Sequence, residues 1–328
     1  MARRARAHGV LAVALAALPA LAGAQGAATA YPQRPIRIIA PFSPGASTDI
    51  VGRLLAQKLN EAWGQAVIVE NRAGAGGTIG GALAARATPD GYTLFMGSVG
   101  SLGTSSGLYP KLPYDPIRDF APITLAVRAA SILIVHPVVA AGGVKELVAL
   151  LKSKPAQFNY SSSGSGSPSH LAMELFKSMT GAPAAHIPYK GPAEAVTDLL
   201  AGQVQLSITS VVAAMPFVRS ARLRALATTG RERLAELPDL PTMIEAGLPG
   251  YEVYVWYGVL APAGTPGDIV GKLNRELVRI LNLPDIRSKL LAQGGELVAG
   301  SPEAFHAFIK ADVARWNQVI KASGATAN

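Results

Sequence analysis

The stretch IRIIAPFSPGASTDI, Ile36 to Ile50, decides how the rest of the chain is read. It opens with an apolar β-like run, Ile36–Pro41. A Pro/Gly/Ser loop follows and runs straight into an amphipathic helix. In that helix Ile50, Leu54, Leu55 and Leu59 form an apolar stripe, largely opposite Arg53, Gln57 and Asn60. A strand, a loop of small residues and a helix start together build an anion pocket. Unpaired backbone N–H groups and the positive end of the helix dipole point at one spot. Similar arrangements recur at Ala73–Gly81, Ser161–His170 and Lys190–Glu194. The repetition points to a protein that grips a small anion from more than one side.

Outward from this stretch, the pattern alternates. Strand-like runs are predicted at Ile36–Pro41, Ala66–Val69, Tyr92–Met96, Ile123–Val127, Ile132–Val135, Phe158–Ser161, Ala184–Ile187, Val204–Ile208, Leu223–Thr228 and Val253–Leu260. Helices are predicted at Thr48–Trp63, Thr78–Ala87, Val144–Ser153, Ser169–Thr180, Ala193–Ala201, Asp268–Leu281, Ile286–Ala292 and Glu303–Ala322. Strands and helices alternating at these lengths imply an α/β fold with parallel-type sheets flanked by helices. Ser301-Pro302-Glu303 supplies an N-cap and an N1 proline for the last helix, and Gly294–Gly295 closes the one before it. Gly97–Asp119 reads as a long Ser/Gly/Pro-rich loop, a class that is often functional.

The first residues read differently. Arg3, Arg4 and Arg6 precede an apolar run, Val10–Leu21, and Ala22-Gly23-Ala24. This is the plan of a secretory signal peptide, residues 1–24, with cleavage expected after Ala24 and Ala30 as a second candidate. Losing the three arginines lowers the formal charge from +9 to +6. The remaining Lys and Arg are scattered, which gives no support to a nucleic-acid partner. The chain has no cysteine, so it carries neither a disulfide framework nor a thiolate site. An exported mature chain of about 300 residues is long enough for two lobes with separate cores. A periplasmic, freely diffusing monomer is expected.

Three motifs resemble catalytic or cofactor signatures and are better explained otherwise. Gly74-Ala75-Gly76-Gly77-Thr78-Ile79-Gly80 has GxGxxxG spacing, but it follows the second strand, not the first, so no nucleotide cofactor is expected. Gly103-Thr104-Ser105-Ser106-Gly107 matches GxSxG. A nucleophile elbow needs a strand before it and a helix after it, and Leu108-Tyr109-Pro110-Lys111-Leu112-Pro113 cannot start a regular helix. His170 and Glu174 share a helix face at i, i+4, which gives only two of the three or four ligands a metal normally needs. No metal and no catalytic residue is assigned. The run Ser161-Ser162-Ser163-Gly164-Ser165-Gly166-Ser167-Pro168-Ser169-His170 is the second serious site, because hydroxyls and bare N–H groups suit carboxylate oxygens.

With these segments in place, the whole chain from Tyr31 onward resembles the Bug family, the periplasmic solute-binding proteins of tripartite tricarboxylate transporters. The residues that carry the resemblance begin with Tyr31-Pro32-Gln33-Arg34-Pro35-Ile36 and Pro41-Phe42-Ser43-Pro44-Gly45 with Asp49. They continue through Glu70-Asn71-Arg72-Ala73-Gly74-Ala75-Gly76-Gly77, Ala87-Thr88-Pro89-Asp90-Gly91-Tyr92-Thr93-Leu94 and Leu112-Pro113-Tyr114-Asp115-Pro116 with Asp119-Phe120. Pro168-Ser169-His170-Leu171, Pro188-Tyr189-Lys190-Gly191, Leu237-Pro238-Asp239-Leu240-Pro241-Thr242 and Ala261-Pro262-Ala263-Gly264-Thr265-Pro266 complete the set. Each is weak alone. Their order and spacing together are specific.

The resemblance implies a two-lobed Venus-flytrap fold with the ligand cleft between the lobes. Lobe 1 would comprise residues 31–126 and 250–328, and lobe 2 residues 127–249, with crossings near Val127 and Gly250. It also implies that a carboxylate is held by the first loop (Phe42, Ser43, Gly45, Ala46, Thr48, Asp49) and by a facing loop (Ser162, Ser163, Gly164, Ser167, His170). Gly76, Gly77, Thr78 and Ser98 would contribute at the rim. Two positions depart from the family pattern: Ala46 stands where a second glycine is common, and Thr209 where an acid is common. A missing acid would remove a partner for a ligand ammonium, so Thr209 favours a non-amino organic carboxylate over an amino acid. The ligand class implied is a di- or tricarboxylate, an aromatic acid or an amino acid, delivered to transporter membrane subunits. Two other classes share the sequence features: a sensory binding protein that presents the ligand to a receptor, and an exported serine hydrolase. The hydrolase would require a Ser–His contact of about 3 Å.

Overall fold

β1, Ile36–Ala40, sits between β2 (Val67–Asn71) and β3 (Thr93–Ser98), parallel to both. Ile36, Ile38, Ile39 and Ala40 are fully buried, which accounts for the apolar run, interrupted only by the partly buried Arg37, that flags this strand in sequence. In this computed structural model, residues 31–291 and 295–327 are described, and the elements below fall in one unit, Pro32–Asn328. The expected signal segment lies outside the described residues.

Two crossovers build this first half. α1 (Ser47–Trp63) links β1 to β2, and α2 (Thr78–Ala85) links β2 to β3. After β3 the chain does not run as an open loop. Val99–Gly103 winds as a π turn and Ser105–Leu108 as one α turn, so part of the predicted Gly97–Asp119 loop is helical. Ser98 and Ser101 make this possible by capping each other: the Ser98 amide donates to Ser101 Oγ at 3.0 Å and the Ser101 amide to Ser98 Oγ at 3.2 Å.

β4 runs from Phe120 to Val135 as a single strand where the sequence predicted two. Its partners change along its length. Phe120–Ala130 pairs antiparallel with β9 (Tyr254–Pro262), and Ser131–Val135 pairs with β7 (Leu206–Ser210) and β8 (Arg224–Thr228). Arg128, Ala129 and Ala130 are only partly buried at this exchange, and that interruption split the run in the sequence. β9 also pairs with β3. The result is a mixed sheet in the order β2-β1-β3-β9-β4-β7-β5-β6, parallel within each half and antiparallel at β4 and β9, where the chain passes between halves.

The second half repeats the strand–helix logic. α3 (Val144–Ser153) precedes β5 (Asn159–Ser162). α4 (Pro168–Thr180) leads to β6 (Ala185–Pro188), and α5 (Pro192–Leu200) leads to β7. α6 (Val211–Arg219) follows β7 directly and was not predicted, since Pro216 lies inside it. After β9 come α7 (Gly267–Leu281), α8 (Pro284–Leu291), a short β10 (Glu296–Leu297) on β4, and α9 (Pro302–Ser323). α9 packs on both β4 and α4. Phe305, Ile309, Val313, Trp316 and Ile320 form its buried stripe, and Trp256 Nε1 donates to Asp312 Oδ2 at 2.8 Å to fix it against β9.

Candidate functional site

The first loop is built around Asp49. Ala46 is the residue before α1 and has no side chain to cap it (φ −68°, ψ 157°), so the first-turn amides of Ser47 and Thr48 have no intrahelical acceptor. Asp49 turns back instead. Its Oδ2 accepts the Gly45 amide at 2.9 Å, its Oδ1 accepts Asn71 Nδ2 at 3.0 Å, and Arg53 Nε lies 2.9 Å away. Asn71 also donates to the Phe42 carbonyl at 2.9 Å. Burial alone would raise the Asp49 pKa. The Arg53, Gly45 and Asn71 hydrogen bonds outweigh it and hold the carboxyl below its ordinary value. The acid therefore serves the loop, as its place in the first helical turn allows. With Arg53 paired to it, it adds little repulsion against a bound anion.

Phe42 connects this loop to two others. A Cβ placed on Gly77 (φ +94°) would come within 3.2 Å of Phe42 Cζ and 3.0 Å of Ser101 Cβ. A Cβ on Gly100 would lie 3.3 Å from the same ring atom. Glycine is required at Gly77 for both reasons, backbone angle and space. Phe42, Gly76, Gly77, Thr78 and the Ser98–Ser101 turn thus meet at one end of β1 and β3. Ser98 is buried and engaged with Ser101, and Thr78 begins α2 with little exposure. The hydroxyl of Thr48, on a residue only 1% exposed, has no protein partner, and neither does that of the buried Ser161.

The second loop, Ser162–His170, satisfies most of its own polar groups. Ser167 caps α4 by accepting the His170 amide at 3.3 Å, and Pro168 fills N1. Ser169 Oγ accepts the Ser163 amide at 3.0 Å and lies 3.0 Å from Ser167 Oγ. Ser162 Oγ donates to the Gly164 carbonyl at 3.1 Å. His170 Nδ1 accepts the Gly166 amide at 2.9 Å, so His170 braces the loop with that nitrogen. The turn after β3 lies between the second loop and the Gly74–Thr78 segment: a Cβ on Gly166 would lie 3.0 Å from Leu108, and one on Gly76 would lie 2.8 Å from the hydroxyl of the next residue, Tyr109.

Four polar residues, of which only Ser47 falls in a loop that the sequence singled out, surround a cavity of about 370 Å³ where the halves join. Ser47 comes from the start of α1, Ser131 from the partner exchange in β4, Ser210 from the N-cap of α6, and Tyr257 from β9. Val51, Val127, Val212 and Val255 give it apolar walls. Burial raises the Tyr257 pKa, opposed by a hydrogen bond with Ser47. Thr209 pairs with Ile132 inside the ladder, and its neighbour Ser210 lines the cavity. The signal for Ser210 was the strand-to-helix junction at α6, hidden by Pro216. A larger cavity of about 730 Å³ lies along β8 and the start of α3, and none of the predicted site residues lines it.

The rejected motifs have plain structural roles. Ser105 Oγ is buried and donates to the Ser101 carbonyl at 3.1 Å, inside a helical turn and not on a strand-to-helix elbow. Glu174 Oε1 accepts from Tyr160 at 2.5 Å and from Lys177 at 2.7 Å, and among the described residues no group of three or more metal-ligating side chains occurs. One Ser–His contact of the length a hydrolase needs does exist: Ser162 Oγ to His186 Nε2 at 2.6 Å. Its setting does not suit catalysis. Ser162 is 1% exposed, and burial with the nearby His170 pushes the His186 pKa down to about 4. A base that weak at neutral pH gains little from proton abstraction.

Comparison with known proteins agrees with this architecture. The sequence profile of the tripartite tricarboxylate transporter family receptor matches residues 51–325. Protein BugT of Bordetella pertussis is 38% identical over 299 residues, covering 91% of this chain and 92% of BugT. An R. palustris protein solved with adipate superposes with a TM-score of 0.76 at 36% identity, covering 90% of this chain and 99% of that one. MatC from Rhodopseudomonas palustris with bound malate gives 0.73 at 32%, covering 88% and 100%.

Proposed function

Because the chain belongs to the tripartite tricarboxylate transporter receptor family, we propose that it binds a small organic carboxylate in the periplasm and delivers it to the membrane subunits of such a transporter. The reading is of a monomeric binding protein with no catalytic role. One carboxylate would be held between the Phe42–Asp49 loop and the Ser162–His170 loop, with Gly76, Gly77, Thr78 and Ser98 shaping the rim. The single observation that carries this is the Asp49 arrangement. A helix start with open amides sits beside an acid whose charge is already answered by Arg53, Asn71 and Gly45. The cavity at Ser47, Ser131, Ser210 and Tyr257 would take the body of the ligand.

The halves joined by β4 and β9 would act as the two lobes, 31–126 with 250–328 and 127–249, closing on the ligand by a hinge motion that ligand contacts stabilise. Charge-assisted hydrogen bonds contribute about 1.5–3 kcal/mol each. Three or four, with enclosure, offset association costs and reach roughly micromolar affinity. Two relatives have been solved with dicarboxylates, adipate and malate, which supports the class. A thermal-shift screen of mono-, di- and tricarboxylates, aromatic acids and amino acids tests this. A true ligand raises the unfolding temperature by mass action, and a screen in which no carboxylate does so rejects the reading.

A further inference from the structure

Three aromatic rings stack at the base of the Ser162–His170 loop. The three rings form a near-parallel cluster: the His186 centroid, from β6, is 3.9 Å from that of His170, with 7° between the planes, and 4.9 Å from that of Tyr160, and Tyr160 and His170 are 6.3 Å apart. Each imidazole holds one end of the same three-residue segment. His186 Nε2 contacts Ser162 Oγ at 2.6 Å, and Ser162 Oγ accepts the Gly164 amide at 3.2 Å while donating to the Gly164 carbonyl at 3.1 Å. His170 Nδ1 accepts the Gly166 amide at 2.9 Å. Gly164 and Gly166 both have positive φ, 122° and 73°, so the segment between them depends on outside support to keep its shape.

The hydrogen bonds fix the protons. Because His170 Nδ1 accepts an N–H, a neutral His170 carries its proton on Nε2. Because Ser162 donates to Gly164, His186 Nε2–H is the donor to Ser162. The other charged or titratable groups facing the pair are Tyr160 on β5 and Glu174 and Lys177 on α4. Glu174 Oε1 lies 4.0 Å from His170 Nε2, but it already accepts from Tyr160 and Lys177. Burial lowers the pKa of both imidazoles, and the proximity of His170 adds to the effect on His186. A proton added to His170 goes onto Nδ1, where it meets the Gly166 N–H head-on.

We propose that His186 is a positioning residue for the ligand-binding loop: with His170 it forms a neutral stacked pair that holds Gly164–Gly166 in its binding shape, and protonation of the pair releases that segment and weakens the grip on the carboxylate. The link to ligand rests on the reading of Ser162–His170 as one side of the carboxylate site. The coupling between imidazoles and loop does not.

The test therefore has two arms. In the ligand-free protein, NMR titration of the histidine ring nitrogens and the Gly166 amide from pH 8 to 4 should show His170 as the Nε2–H tautomer, with the Gly166 amide shifting in step with imidazole protonation. A Gly166 amide indifferent to that protonation, or a neutral His170 protonated at Nδ1, overturns the proposal. The second arm measures adipate affinity across pH for the wild type, His186→Phe, His186→Gln and His170→Gln. His186→Phe keeps the stack and loses the bond to Ser162, and should weaken binding about tenfold at pH 7.5, the equivalent of one hydrogen bond. His186→Gln keeps a donor without a titrating ring and should retain most of the affinity. The wild type should lose affinity on acidification more steeply than His170→Gln, which offers the Gly166 amide an acceptor without a titrating ring; titration of adipate itself is common to both. Identical pH profiles overturn the proposal. No adipate binding at any pH counts against the carboxylate reading, and the NMR arm then decides the imidazole coupling alone.

Discussion

Asn71 Nδ2 lies 3.0 Å from Asp49 Oδ1 and 2.9 Å from the Phe42 carbonyl oxygen, so one amide at the end of β2 ties the helix start and the loop before it together. Asp49 completes the tie by accepting the Gly45 amide. Asp49→Ala breaks the bonds from Gly45, Asn71 and Arg53 to the carboxylate and leaves the Gly45 amide without its acceptor, while Asn71 keeps the Phe42 carbonyl. The expected cost is about 1–3 kcal/mol of stability, read by urea unfolding, together with loss of carboxylate-induced thermal shift. A variant as stable and as responsive as the wild type would remove Asp49 from the loop's support.

Gly77→Ala introduces a Cβ at φ +94°, within 3.0–3.2 Å of Ser101, Phe42 and Pro41. Strain and overpacking together should destabilise by about 1–3 kcal/mol. Phe42 is the atom group that must move, so ligand response should fall with stability. Gly45→Ala is the matched control. It too sits at positive φ, 84°, but its Cβ meets no atom within 4 Å, so strain remains without displacement of Phe42. Chemical denaturation and thermal shift on both variants separate the two effects.

The stretch from Ile36 to Ile50 was legible because its signals are local. β1 is apolar apart from the partly buried Arg37, Gly45 needs positive φ, and α1 shows its stripe within three turns. The alternation of strands and helices gave the α/β class for the same reason. What was not legible depends on partners distant in sequence. Arg128–Ala130 reads as a break, but in space it is where β4 exchanges β9 for β7 and β8. α6 was hidden by Pro216, and with it Ser210. His186 gave no local signal at all, because its place opposite Tyr160 comes from the register of β5 with β6. Leu108 and Tyr109, which lie against Gly166 and Gly76, were read as a proline-broken tail.

The stacked imidazoles make stability pH-dependent. The His186 pKa falls from 6.5 to about 4 on folding, so between those values the unfolded chain binds more protons than the native one. Stability is then lost progressively as pH drops below about 6.5, and the loss levels off near 4. Asp49, whose pKa is lowered from 3.8, acts in a different window: its contribution is complete above 3.8 and is lost as pH falls further. A melting-temperature profile should therefore decline in two separable steps. His186→Phe should shrink the upper step and leave the part due to His170, whose pKa burial also lowers, and an unchanged upper step in that variant would assign it to another group.

Ser210 and Ser301 are both N-caps, accepting the Ala213 and Ala304 amides at 3.3 Å and 3.2 Å. Replacing either with alanine should cost about 1 kcal/mol. Only Ser210 lines the cavity between the halves. Ser210→Ala should therefore also alter carboxylate affinity, while Ser301→Ala should leave it at the wild-type value. Equal effects on affinity from the two substitutions would place the ligand body elsewhere.

The central claim is that a carboxylate group is what the two loops hold. Isothermal titration of the mature protein with matched pairs, each acid against its own amide and adipate against adipamide first, tests it most directly. Saturable binding of at least one acid is expected near micromolar affinity, with its uncharged amide weaker by tenfold or more and with the acid's advantage lost in Asp49→Ala. Equal affinity for acid and amide, or binding untouched by Asp49→Ala, would contradict it.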